Sequence, residues 1–204
     1  MARIRKSSEM RRDELSAAAL RILGERGLTA LTTSALAQEV GLTSGALFRH
    51  FSTLDALLDE VVARAVKRVE ETFPDPSGPA MERLLELAER RVRLLAAEPG
   101  ISWMLRSEQA LLSLPPEAVR QLRALAGRSR SFLIEALREG ADGGTIRNDV
   151  DPEVLVIPVM GTIHMLAGGS GVAKRGSRPK RAEISRVLEG LKRMLTTNDC
   201  TTDD

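Results

Sequence analysis

Apolar residues recur every three or four positions along most of this chain, the spacing of one buried face on an α-helix. Between Glu9 and Arg26 that face is Leu15, Ala18, Ala19, Ile22 and Leu23, and Gly27 ends it. Two short stripes follow: Leu36, Ala37 and Val40 behind a capping Thr32, then Leu47 and Phe51 behind Thr43 or Ser44. Thr53 opens a longer helix over about 53–73, with Leu57, Leu58, Val61, Val62, Ala65, Val66 and Val69 inside. Pro74-Asp75-Pro76-Ser77-Gly78-Pro79 breaks it, and the helix over 80–97 is lined by Met81, Leu84, Leu85, Ala88, Val92 and Leu95. Glu98-Pro99-Gly100 breaks the chain again before ISWMLRSEQALLS. Pro115 and Pro116 then open a long helix to about Ala141, stopped by Asp142-Gly143-Gly144. Asp151-Pro152 is a cap followed by a first-turn proline. The helix it starts, about 152–170, is apolar nearly all round, with an internal Pro158 expected to bend it. Ile184, Val187, Leu188, Leu191, Met194 and Leu195 mark a last helix over about 181–196. No strand and no internal repeat emerges, so the expected fold class is all-α.

The stretch 32–51, TTSALAQEVGLTSGALFRHF, reads as two short helices joined by a tight turn. Gly41 sits where the first must stop, since a residue without Cβ takes the left-handed conformation at no steric cost. Ala37 is small enough for the two helices to cross closely, near a right angle. Such a pair leaves the outer face of the second helix bare, and that face fits a DNA major groove. The plainer alternative is a helical hairpin inside a core; the cap, the small residue, the glycine and the spacing all favour the groove-reading pair.

Taken from Leu31 to Leu58, LTTSALAQEVGLTSGALFRHFSTLDALL resembles the DNA-binding signature of the TetR (tetracycline repressor) family. The likeness covers the first quarter of the chain; the remainder resembles the family only in layout. It implies a helix-turn-helix head over 1–52, with a basic arm at 1–8. A helical ligand-binding and dimerisation domain then spans 53–197, ahead of a tail at 198–204. In the second helix Ser44, Gly45 and Ala46 stand where family members touch base edges. Ser44 offers a hydrogen bond to a base or phosphate, Gly45 and Ala46 allow close approach and methyl contact with thymine, and Arg49 reaches guanine. Thr33, Ser34, Thr43 and His50 look placed for phosphates, and the resemblance supports Thr33, Thr43 and His50 in that role. Two departures are expected to weaken affinity: Phe48 stands where the family usually has Tyr, and Leu54 where it usually has Lys.

Composition sharpens this picture. Of 204 residues 43% are hydrophobic but only four are Phe and one Trp, with no Tyr, which suits packed helices better than sheets. The formal net charge is only +2, so attraction to nucleic acid depends on where the charge lies. Within residues 1–12, Arg3, Arg5, Lys6, Arg11 and Arg12 face Glu9 alone, 5 − 1 = +4. The arm is either a solvated tail or a strip that follows phosphates and enters the minor groove. The single Cys200 excludes an internal disulfide and a cysteine metal cluster; it lies in a polar tail, as a bland residue or a regulatory thiol. Neither a signal peptide nor a membrane-length apolar run is present, so a cytoplasmic protein is expected.

The second half suggests a ligand and a second copy of the chain. Trp103, Met104, Phe132, Met160 and His164 make a candidate effector lining, with plain core packing as the alternative for each. Helices about 152–170 and 181–196 carry more apolar surface than one small core needs, and Gly161, Ala167 and Gly168 allow close approach. Family members pair two such helices from each chain into a four-helix bundle, so a homodimer is expected. An enzyme is not: two histidines and a tail cysteine leave no nucleophile–base pair, and GGSGVAK lacks the GK[ST] ending of a phosphate loop. No cofactor and no metal site is expected. The function read from the chain is a homodimeric, ligand-responsive regulator that binds operator DNA, a repressor released by a small molecule. The alternative is a helical interaction module that binds no DNA.

Overall fold

The computed structural model describes residues 8–169 and 178–196. Arg3, Arg5 and Lys6 of the basic arm, residues 174–177 of the basic linker and Cys200 lie outside the described residues. Within them the fold is all-α, as the apolar spacing requires. The helices are α1 (Ser8–Arg26), α2 (Thr33–Glu39), α3 (Ser44–Leu47), α4 (Leu54–Glu70), α5 (Ala80–Ala97), α6 (Pro99–Arg106), α7 (Glu108–Ser113), α8 (Pro116–Asp142), α9 (Pro152–His164) and α10 (Arg181–Leu195). No helix among the described residues is long and apolar enough to cross a membrane.

The chain forms two compact units. One comprises the described residues up to Glu70 together with Glu98–Leu125; the other comprises Glu71–Ala97 with those from Ala126 onward. In the first, α1 is the central element, burying Leu15, Ala18, Ala19, Ile22 and Leu23 against α2, α4 and α6. Its crossing with α6 is backbone against backbone. A Cβ built on Gly100 would stand 2.1 Å from the Leu20 carbonyl oxygen, and one built on Gly24 would stand 2.6 Å from the Gly100 nitrogen. Side chains confirm the sequence-read helix starts. Thr32 accepts from the Ala35 N–H at 3.1 Å, and Thr53 from Ala56 at 3.0 Å. Asp59, from α4, accepts the Ala118 N–H at 3.1 Å and satisfies a donor in the first turn of α8. Arg64 ties α4 to α1 by bridging Glu60 and Asp13.

In the second unit α5 packs on α9 and α10. Asp151 accepts from the Glu153 N–H at 2.8 Å, so the Asp-Pro start works as its chemistry suggests. The α-helical part runs through Pro158 and ends at His164, short of the expected 170. A single π turn, Met165–Gly169, follows, and Gly168 at φ 111° ends helical geometry. α9 buries Leu155, Val156, Val159 and Ile163, and α10 buries Ile184, Leu188, Leu191 and Leu195. On α5 the exposed pairs Glu86–Arg90 and Glu89–Arg93 form the solvated face expected of them. Arg83 and Arg91 depart from that pattern: both are buried alongside Leu84, Leu87 and Val92.

Candidate nucleic-acid interface

The helix pair turns where its glycine allows. Gly41 has φ 67°, and the Leu42 N–H reaches back to the Ala37 carbonyl at 2.8 Å, closing the end of α2. Thr43, rather than Ser44, caps α3, accepting the Ala46 N–H at 3.3 Å. α3 is shorter as an α-helix than Thr43–His50. Beyond Leu47 the chain tightens, with the Arg49 and His50 N–H groups bonding three residues back to Ala46 and Leu47 at 3.3 and 2.9 Å. Leu36, Ala37, Leu47 and Phe51 are buried, which fixes the pair. The opposite surface is open: Ser34, Thr43, Ser44, Gly45, Phe48 and Arg49 are exposed, and Thr33, Ala46 and His50 partly so. All nine residues singled out in the sequence therefore lie on α2, on α3 and its N-cap, or on the turn that follows it. Phe48, at 47% exposed, presents an aromatic ring where a hydroxyl would sit on a tyrosine. The Nδ1 of His50 is buried without a hydrogen-bond partner, which leaves Nε2 as the nitrogen for an outside partner.

The end of α3 is held by a residue that sequence reasoning counted only as charge. Arg12, one turn into α1, donates from Nε and Nη2 to the His50 carbonyl at 3.2 and 3.1 Å. Its guanidinium also lies 5.1 Å from the centre of the Phe51 ring. Charge-assisted bonds to a carbonyl that the shortened helix leaves open position Arg49 and His50. The separation of 38 residues explains why no local pattern revealed this. With Arg12→Gln, amides 49–51 should exchange with solvent about fivefold faster, roughly 1 kcal/mol at an exposed site. Unchanged protection would show that Arg12 does not hold the turn.

The candidate effector residues are distributed over both units. Trp103 and Met104 belong to the first, where Met104 is fully buried in α6. Phe132, Met160 and His164 belong to the second and are each partly exposed. Phe132 stacks edge-on against Phe73, ring centres 5.2 Å apart. Arg83 lies over the Phe132 ring and pairs with Glu139, and Arg91 lies over the Phe73 ring. Burial pushes the Arg91 guanidinium down to about 10, still far above neutrality, so it remains a cation. These two arginines were invisible to apolar periodicity, because a long cationic side chain normally marks the wet face of a helix.

Comparison with known proteins places this geometry. Residues 15–61, spanning the helix pair and its flanks, match the family model described as bacterial regulatory proteins, tetR family. The HTH-type transcriptional repressor KstR2 of Rhodococcus jostii (strain RHA1) is 25% identical over 199 residues, covering 89% of this chain and 91% of that protein. The solved structure of the ketosteroid transcriptional regulator KstR2 of Mycobacterium tuberculosis shares the fold with a TM-score of 0.78. It is 22% identical and covers 96% of this chain and 100% of that one. AibR, solved in complex with isovaleryl coenzyme A and operator DNA, superposes with a TM-score of 0.74 at 21% identity, over 91% of this chain and 97% of its own. These relatives are named for control of transcription and not for a reaction. With a capped, outward-facing α3 inside the matched segment, residues 15–61 are similar to the helix-turn-helix segment of the tetR family of bacterial regulatory proteins, and the chain as a whole shares the fold of the KstR2 structure.

Proposed function

We propose that the protein is a homodimeric repressor that leaves its operator when a small molecule binds its second unit. The observation that carries this reading is the exposed face of α3 and the turn after it, with Ser44, Gly45 and Arg49 outward and a buried back of Leu47 and Phe51. In this reading Ser44, Gly45, Ala46 and Arg49 meet base edges, while Thr33, Ser34, Thr43 and His50 grip phosphates. Phe48 adds apolar contact where it replaces a phosphate-binding hydroxyl. In this reading the operator is met by the segment up to about residue 52, while the compact unit that carries it also takes in the rest of α4 and Glu98–Leu125, so the effector and the second copy are assigned to the other unit rather than to all of 53–197. A fold neighbour solved with both a coenzyme A thioester and operator DNA supports coupling of the two activities in this architecture.

The dimer reading rests on α9 and α10. Val154, Ile157 and Met165 are 54%, 67% and 59% exposed and lie with Gly161 on one stripe that runs along α9 into the π turn after it; Met194 of α10 is 63% exposed. Contiguous apolar surface of this kind marks a partner, and the partner proposed is a second copy of the same two helices. Phe132, Met160 and His164 remain the candidate contacts for the effector in the second unit.

Operator fragments selected from random-sequence DNA give the test. Arg49→Ala combined with His50→Ala should weaken their binding about hundredfold, roughly 3 kcal/mol from one base contact and one phosphate contact, with dimerisation intact. Equal retention by the double variant, or binding indifferent to salt, would remove α3 as the reading element.

A further inference from the structure

Arg91 is a buried charge whose hydrogen-bond and ring partners are all neutral. The residue is 8% exposed, and its Nε donates to Thr72 Oγ1 at 2.8 Å and its Nη1 to Ser129 Oγ at 3.3 Å. Phe73 covers one side, 5.4 Å from the guanidinium carbon to the ring centre. The remaining nitrogen, Nη2, is buried with no hydrogen-bond partner. Among the described residues no carboxylate pairs with it. Arg83, two turns earlier on α5 and 3% exposed, also leaves one nitrogen, Nε, without a partner, but it has Glu139 as its counter-charge. Arg83 lies over Phe132 and Arg91 over Phe73, and the two rings stack edge-on against each other.

Two hydroxyls orient a guanidinium but do not neutralise it, and a buried cation without a counter-charge is among the least favourable residents of a core. A strut between Thr72 and Ser129 requires no charge at all. The arrangement instead fits a guest that brings the charge with it. Guanidinium forks bind planar or tetrahedral oxyanions through parallel N–H groups, and here two nitrogens are bonded while the third is buried without a bond.

We propose that Arg91 anchors the effector through an oxyanion, a carboxylate or a phosphate, received by Nη2, with the Phe73–Phe132 pair beside the effector's apolar part. This deepens the ligand-responsive reading above and rests on it. The effector is then an acidic small molecule with an apolar body, and its head group supplies the negative charge that the second unit lacks at this point.

The full-length protein is titrated with octanoate, octyl phosphate and neutral 1-octanol, following both calorimetric affinity and thermal midpoint. At least one anion should bind saturably and raise the midpoint, with octanol at least tenfold weaker. The better of octanoate and octyl phosphate identifies the head group. Arg91→Met should bind the anion at least tenfold more weakly and discriminate it from octanol no longer, whereas Arg91→Lys keeps the preference. Unliganded Arg91→Met should melt no lower than the parent, because it removes an unpaired buried charge; a structural strut would melt lower. Failure of both anions to bind the parent, or an unaltered response in Arg91→Met, overturns the anchor. Anion binding through Arg91 that leaves the operator complex undisturbed keeps the oxyanion site and defeats its reading as an effector site instead.

Discussion

With alanine in place of Gly100, the thermal midpoint should fall by about 6–12 °C. The added methyl carbon would stand 2.1 Å from the Leu20 carbonyl oxygen and 2.9 Å from the Leu20 Cα, so it meets backbone that no rotamer change can move aside. Relief requires α1 and α6 to part by about an ångström, which opens voids beside Ile22, Leu23 and Ile101, all fully buried. Overpacking of this kind costs about 3 kcal/mol, which converts to the stated shift at 2–4 °C per kcal/mol for a chain of this size. Gly127→Ala is the matched control. Nothing lies within 4 Å of a Cβ there, so the same methyl on exposed α8 surface should raise the midpoint slightly through helix propensity. Equal behaviour of the two variants would show that the α1–α6 crossing is not tight.

On the proposed dimer, Ile157→Glu should yield monomers at concentrations where the unsubstituted chain pairs through α9 and α10. The side chain is 67% exposed at the middle of the α9 stripe, so the change costs the isolated chain little. In a two-fold dimer each substitution enters the interface twice, and each carboxylate would be desolvated beside apolar neighbours. About 2 kcal/mol for each copy, roughly 4 in all, weakens association about thousandfold. Sedimentation velocity reads the oligomer directly. Operator affinity should fall with it, because one head then holds one half-site. A dimer that survives Ile157→Glu would place the contact elsewhere.

Local chemistry made much of this fold legible. Thr32, Thr53 and Asp151 cap the helices that their side chains announce, and Gly41 turns the chain where a missing Cβ permits it. The stripes of α1 and α4 are buried residue for residue, because a period of 3.6 states which side faces inward, while α10 buries Ile184, Leu188, Leu191 and Leu195 but leaves Met194, expected on the same stripe, exposed. Periodicity does not state what lies on the other side of the contact. Arg12 and His50 meet across 38 residues, and Arg91 meets Ser129 across the same separation. Arg12 therefore read only as charge, and nothing in the sequence singled out Arg91. The nine residues proposed for DNA were legible for a different reason: they sit in one short segment whose caps and turn fix their direction. The effector residues had no such frame. Trp103 and Met104 proved to belong to one unit and Phe132, Met160 and His164 to the other, a division that an apolar residue type cannot signal.

The glycine crossing also redraws the smallest piece of this protein able to stand alone. A fragment cut after Glu70 would keep all four helices up to α4, including every residue proposed to touch the operator, yet it would strip α6 from α1. The bared strip holds the backbone around Leu20 and Gly24, groups that no side chain of their own can shelter from water. Recombinant work on the reading head alone thus has to carry residues 98–125 along, supplied on the same polypeptide or in trans as a complementing peptide.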